Sequence, residues 1–127
     1  MEEKIQIRSY KDLIVWQKAH LLVQQVFKTI KPLKKNYISY EIIKQLVRSV
    51  TSIPANIVEG YYSHKGKTFA SHLEISKGST GETDYWSFEL QSNDYITQKQ
   101  YDEISINCVE LIKILSGLIK KIREKND

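Results

Sequence analysis

Apolar residues recur at intervals of three and four along four stretches of the chain, and each stretch predicts an amphipathic helix. The first stripe reads Leu13, Trp16, His20, Val23, Phe27 and Ile30, and it stops where Lys31 precedes Pro32. The second reads Ile43, Leu46, Val50, Ile53 and Ile57, and it runs straight through Pro54. A proline inside a helix removes the bond to the carbonyl four residues back, that of Val50, at roughly 3 kcal/mol or more. The unbroken spacing therefore predicts one kinked helix rather than two. The last stripe reads Tyr101, Ile104, Cys108, Leu111, Leu115, Leu118 and Ile122.

The third stretch, with Phe69, Leu73, Ile75, Trp86 and Leu90, is different. Its middle, Ser76 to Thr83, is almost free of apolar side chains and holds Gly78 and Gly81. Interior glycines each cost up to about 1 kcal/mol against alanine, so small residues here predict close approach of a neighbouring backbone. Beyond it, Tyr85, Trp86, Phe88 and Leu90 point in too many directions for one core stripe. A second subunit is the expected cover, with aromatics lining the bundle edge as the alternative.

End signals set the expected bounds. Ser9 with Asp12 opens the first helix, Ser39 caps the second with Glu41 in its first turn, Gly60 loosens its last turn, and Thr97 with Gln100 forms a capping box for the fourth. The helices are expected at about 10–31, 40–63, 67–93 and 98–124. Short connections make this an all-α, up-down-up-down four-helix bundle with a Pro-kinked second helix, one domain over residues 1–127.

Charge changes the picture only through its placement. Residues 1–36 carry eight Lys or Arg against three acids, residues 37–112 six against ten, and residues 113–127 five against two. In this topology the start of the first helix, the turn between the second and third, and the end of the fourth share one pole. Arg8, Lys11, Lys65, Lys67, Lys120, Lys121, Arg123 and Lys125 gather there and are the candidate nucleic-acid contacts. Lys28, Lys31, Lys34 and Lys35 form a smaller group at the other pole. Contacts of this kind address phosphates, so binding should be salt-dependent and poorly sequence-specific.

Candidate chemistry adds little. No Glu stands three residues before His20, His64 or His72, as di-iron bundles require, and no Walker loop, His-Glu-x-x-His or Gly-x-Ser-x-Gly occurs. The single cysteine, Cys108, cannot form an internal disulfide and is expected as a small buried thiol. No catalytic, metal or cofactor site is assigned. His20 is expected as a hydrogen-bonded core histidine, and Trp16 as a ring filling the space opened at Pro54. Asn56 is expected to serve backbone groups freed by the proline, in a polar cluster with Glu59; acid-base chemistry is the alternative. Arg48 and Glu82 are expected at one height on facing helices, as a charge pair within or between subunits. No signal peptide or membrane span is evident, so a cytoplasmic location is expected.

Four ordered blocks carry a family resemblance: Asp12 to Ala19, Gln45 to Val50, Ser52 to Gly60, and Gly78 to Glu82. They resemble the bacterial four-helix-bundle proteins encoded by 23S rRNA intervening sequences, related to the accessory variability determinant of diversity-generating retroelements. The resemblance spans about residues 8–122. It implies a ring-like homopentamer with a basic surface suited to RNA or DNA and, in the retroelement branch, docking to a reverse transcriptase. By the same resemblance Arg48, Asn56, Glu59, Ser79 and Glu82 are packing and assembly residues; the kink and the off-stripe aromatics add Trp16, Pro54, Tyr85 and Trp86 to them. A protein-binding scaffold is the competing function, using Tyr85, Trp86, Phe88 and the Tyr61-Tyr62 pair.

Overall fold

The computed structural model describes residues 6–63 and 66–125. A 3-10 turn at Tyr10–Asp12 leads into α1 (Ile14–Ile30), α2 (Tyr37–Ser63), α3 (Lys67–Ser92) and α4 (Gln98–Lys125), with no strand among the described residues. Each helix packs against two neighbours and the diagonal pairs do not meet. Side-chain bonds fix the directions: Ser49 meets Thr83, Ser52 meets Ser79, and Asn56 meets His72, so α3 runs antiparallel to α2. Asp84 with Tyr101 and Glu74 with Arg123 do the same for α3 and α4. The expected up-down-up-down bundle is the observed one.

The start of the first helix differs from expectation. Asp12 Oδ2 accepts from the amides of Arg8 at 2.7 Å and Ser9 at 3.2 Å, while Ser9 Oγ accepts from the Lys11 amide at 3.2 Å. The box closes on a 3-10 turn, Leu13 is extended, and α1 begins only at Ile14. Those two amides, Arg8's foremost, hold the Asp12 carboxyl below its ordinary range. The buried face of α1 is also rotated. It consists of Val15, Ala19, Leu22, Val23, Val26 and Ile30, whereas Leu13, Trp16 and Phe27 lie half-buried at its edge and His20 is exposed. Small and β-branched side chains permit closer helix packing than large rings, so the narrower stripe faces inward.

The second helix starts three residues before the expected place. Asn36 Oδ1 accepts from the Ser39 amide at 3.0 Å and Ser39 Oγ accepts from the Asn36 amide at 2.9 Å. Asn36 is therefore the cap, and Ser39 is its partner in the first turn. Pro54 stays inside α2, and Ile43, Leu46, Val50, Ile53 and Ile57 are all buried. Gly60 does not loosen the end of the helix. A Cβ there would stand 2.8 Å from His72 Cβ and 2.9 Å from Phe69 Cδ1, so its missing side chain lets α3 close on α2.

Between α2 and α3 the contact surface is small and polar. Ser76, Ser79, Thr80, Thr83 and Ser87 are buried along α3. Thr80, Thr83 and Ser87 donate to carbonyls one turn back at 2.7 to 2.8 Å, and Ser76 Oγ donates across to the Ile53 carbonyl at 2.9 Å. Every buried side-chain polar atom among the described residues has a partner. Close approach thus comes from serine and threonine, not from Gly78 and Gly81, which face open space. The box at Thr97 and Gln100 forms as expected, at 2.8 and 3.1 Å.

Candidate nucleic-acid interface

The strap before α1, the end of α2, the start of α3 and the end of α4 meet at one end of the bundle. Tyr10 lies with its ring 6.2 Å from that of Tyr62, and Arg123 Nη1 stands 3.4 Å from Glu74 Oε1. Ile7, Leu13 and Ile14 from the strap and α1 face Ile114, Leu118 and Lys121 of α4 across a shallow groove. This end presents Arg8, Lys11, Lys67, Lys120, Lys121, Arg123 and Lys125, all exposed. Lys65 lies outside the described residues. Lys77, not foreseen, lines the same α3/α4 groove as Lys120 and Arg123.

The acids at this end are partly occupied. Asp12 is spent on two backbone amides, and Glu74 on Arg123. Glu59 and Glu124 are exposed. At the opposite end Lys28, Lys31, Lys34 and Lys35 are exposed as well.

The residues expected to pack or assemble separate into two groups. Asn56 Nδ2 donates to the Ser52 carbonyl at 2.9 Å and to Ser52 Oγ at 3.0 Å, rather than to the Val50 carbonyl opposite Pro54. Its Oδ1 faces His72 Nδ1 at 3.2 Å, and Ser79 Oγ donates to Ser52 Oγ at 3.0 Å. This row of polar contacts joins α2 to α3. Glu59 has no part in it and points to solvent. Trp16 packs on the core, but its ring partners are Tyr10 at 5.0 Å and His20 at 4.9 Å.

Arg48 and Glu82 are both exposed, and the ion pairs among the described residues are Lys18 with Glu110 and Arg123 with Glu74. The Arg48–Glu82 pair is thus not made within one protomer, although the Ser49–Thr83 bond puts the two at neighbouring heights. Trp86 is half-buried against the core, while Tyr85 is 51% and Phe88 44% exposed. Phe88 meets the ring of Tyr101 at 5.6 Å.

Sequence reasoning missed Asp84. Its carboxylate accepts from Tyr101 Oη at 2.6 Å and Ser105 Oγ at 2.7 Å, clamping α3 to α4. Burial, with the Asp84 bond behind it, raises the Tyr101 phenol. Burial chiefly, and then the Asp84 charge, pushes the Cys108 thiol up to about 12, which makes it an inert core group. The sign follows from linkage: an unfolded thiol near 9.0 ionises before the folded one, so Cys108 costs stability as pH rises from about 9 toward 12. By about pH 10.5 the native chain should lose about 2 kcal/mol more than a Cys108→Ala variant between the same pH limits. Urea midpoints measured in parallel at each pH would expose equal losses if the thiol were not responsible.

The 23S rRNA-intervening sequence protein family matches residues 11–117. The chain belongs to that family. A solved structure from Bacteroides thetaiotaomicron, a protein of unknown function from the S23 ribosomal protein family, shares 31% identity at a TM-score of 0.75. The match covers 84% of this chain and 99% of that one. No protein of curated function matches. That structure and this chain share the fold, and no helix among the described residues is long and apolar enough to cross a membrane.

Proposed function

We propose that this chain is a non-enzymatic homo-oligomer, pentameric as the resemblance implies, that associates with RNA or DNA through the basic end of its bundle. One observation carries the reading: cations from the strap, α3 and α4 converge on a single end although they lie far apart in sequence. Glu74 is paired with Arg123 and Asp12 is held by two backbone amides beside Arg8, while Lys11, Lys67, Lys120, Lys121 and Lys125 make no ion pair among the described residues and face solvent, where they can meet phosphates. The family's description, which names an rRNA intervening sequence, supports a nucleic-acid setting.

Titrating mixed-sequence RNA and DNA against the protein over a salt series tests it. Engagement of four to seven cations should give a slope of log affinity on log salt of about −3 to −6. Affinity that ignores salt would remove the reading. A second reading, a protein-binding scaffold or reverse-transcriptase accessory subunit without direct nucleic-acid contact, draws on exposed Tyr85 and Phe88 beside the open Gly78 and Gly81. Mass measurement in solution, with and without nucleic acid, separates the subunit number from the binding question.

A further inference from the structure

Five aromatic rings form a connected row along the α1/α2 flank of the basic end. Tyr61 meets Tyr62 at 4.9 Å, Tyr62 meets Tyr10 at 6.2 Å, Tyr10 meets Trp16 at 5.0 Å, and Trp16 stacks on His20 at 4.9 Å with only 8° between the rings. Three separate segments supply them: the end of α2, the 3-10 turn and the first turns of α1. Packing accounts for the inner members, since Trp16 rests on the core and Tyr10 is half-buried. It does not account for the outer ones. Tyr62 is 62% exposed and His20 is exposed, so aromatic surface is left in water beside a cluster of cations.

We infer that this row is a stacking platform for the bases of an unpaired polynucleotide strand, whose phosphates meet Arg8, Lys11 and Lys67. The inference rests on the proposed nucleic-acid reading and names the form of nucleic acid that the basic end selects. Every base offers a π-face, but in a duplex those faces are already covered by neighbouring pairs; only an unpaired strand can lay them on protein rings. The parallel Trp16/His20 pair ends on a solvent-facing imidazole, which a base extends by one more layer. Tyr62 presents a second exposed ring at the other side of Tyr10.

The platform is held in place before any strand arrives. Asp12 and Ser9 close the turn that carries Tyr10, and Gln17 Nε2 donates to the Lys11 carbonyl at 2.8 Å, tying that turn to α1. Preorganisation of this kind lowers the ordering cost of binding. Charge is complementary: Lys11 Nζ lies 5.9 Å from the Tyr10 ring centre, Arg8 precedes it, and Lys67 opens α3. Glu59 is the exposed acid one turn before the tyrosines, whereas the Asp12 carboxylate is turned onto the Arg8 and Ser9 amides.

Fluorescence anisotropy with labelled 20-nucleotide strands of RNA and of DNA, and with a duplex of equal phosphate number, tests the platform. Unpaired strands should bind more tightly than the duplex. A His20→Ala/Tyr62→Ala variant should lose about tenfold in strand affinity while its duplex affinity and salt slope stay unchanged. The His20→Phe/Tyr62→Phe variant should stay within about twofold of the parent, because the π-faces remain. In a Trp86→Phe background, Trp16 emission should be quenched by strand and not by duplex.

RNA and DNA strands should bind alike, since base faces and phosphates are common to both; a tenfold preference for either overturns a stacking account. Salt-dependent binding that ignores the ring substitutions overturns the platform and leaves the basic end standing. No binding in any arm overturns both. Loss of self-assembly in the alanine variant, with strand affinity intact, would make the row a subunit contact instead.

Discussion

Reversing Lys120, Lys121, Arg123 and Lys125 to glutamate should lower affinity for RNA or DNA by about a thousandfold at 0.1 M salt. Each phosphate contact contributes roughly 0.7 to 0.9 of a log unit per decade of salt, so four lost contacts amount to about three decades. The salt slope should shrink by about 3 as well. Stability should change little: the four side chains are exposed, and the one ion pair broken, Arg123 with Glu74, is itself exposed and of the kind worth under about 1 kcal/mol. The matching reversal of Lys28, Lys31, Lys34 and Lys35, at the opposite end, is the control and should move affinity only a few-fold. If both quadruple variants bind as weakly as each other, net charge rather than the α4 end governs the interaction.

Replacing Ser76 by leucine should cost about 3 kcal/mol or more, a large fraction of the 5 to 15 kcal/mol typical of a domain this size. Ser76 is fully buried between α3 and α2, and its hydroxyl donates to the Ile53 carbonyl at 2.9 Å. Two added heavy atoms overfill a site that is already closed, so the helices must part and disturb Ser49–Thr83 and Ser52–Ser79 with them. Ser76→Ala, which removes one hydrogen bond and no packing, should cost about 0.5 to 1.5 kcal/mol. Urea unfolding followed by circular dichroism compares the three chains. A leucine variant as stable as the alanine one would show that the close approach of α2 and α3 does not depend on side-chain size.

How much was legible in the chain varies by helix. The α2 stripe was readable because one face is strongly apolar, and Ile43, Leu46, Val50, Ile53 and Ile57 are buried as their spacing implies; on α4 Ile104, Cys108, Leu111 and Leu115 are buried likewise, while Tyr101, Leu118 and Ile122 lie half-buried and Ile119 takes the inward place near the end. On α1 two overlapping stripes satisfy the same spacing. Val15, Ala19, Leu22 and Val26 face inward because small side chains allow the bundle to close, and the larger residues Trp16 and Phe27 are left at the edge. One cap signal misled: Ser39 looked like the cap, but Asn36 three residues earlier takes that place and makes Ser39 its partner.

The candidate site shows the same division. Gathering of cations at one end follows from topology alone, since helix count and turn positions decide which termini are neighbours. The row from Tyr61 to His20 was not legible, because Tyr10, Trp16 and Tyr62 are brought together only when the 3-10 turn folds against α1 and α2. Asp84 was missed for a related reason: its partners Tyr101 and Ser105 lie on the next helix, and nothing local distinguishes it from a solvated acid.

Periodicity and end signals by themselves determined four helices and their order, because these depend on residues near one another in the chain, and the end at which Arg8, Lys11, Lys67 and the α4 cations gather follows from that order. Rotation of α1, the polar contact between α2 and α3, the absence of an Arg48–Glu82 pair within the protomer and the alignment of aromatic rings were decided only by tertiary structure. Each of those depends on how closely two helices approach, and that distance is set jointly by both surfaces rather than by either sequence stretch.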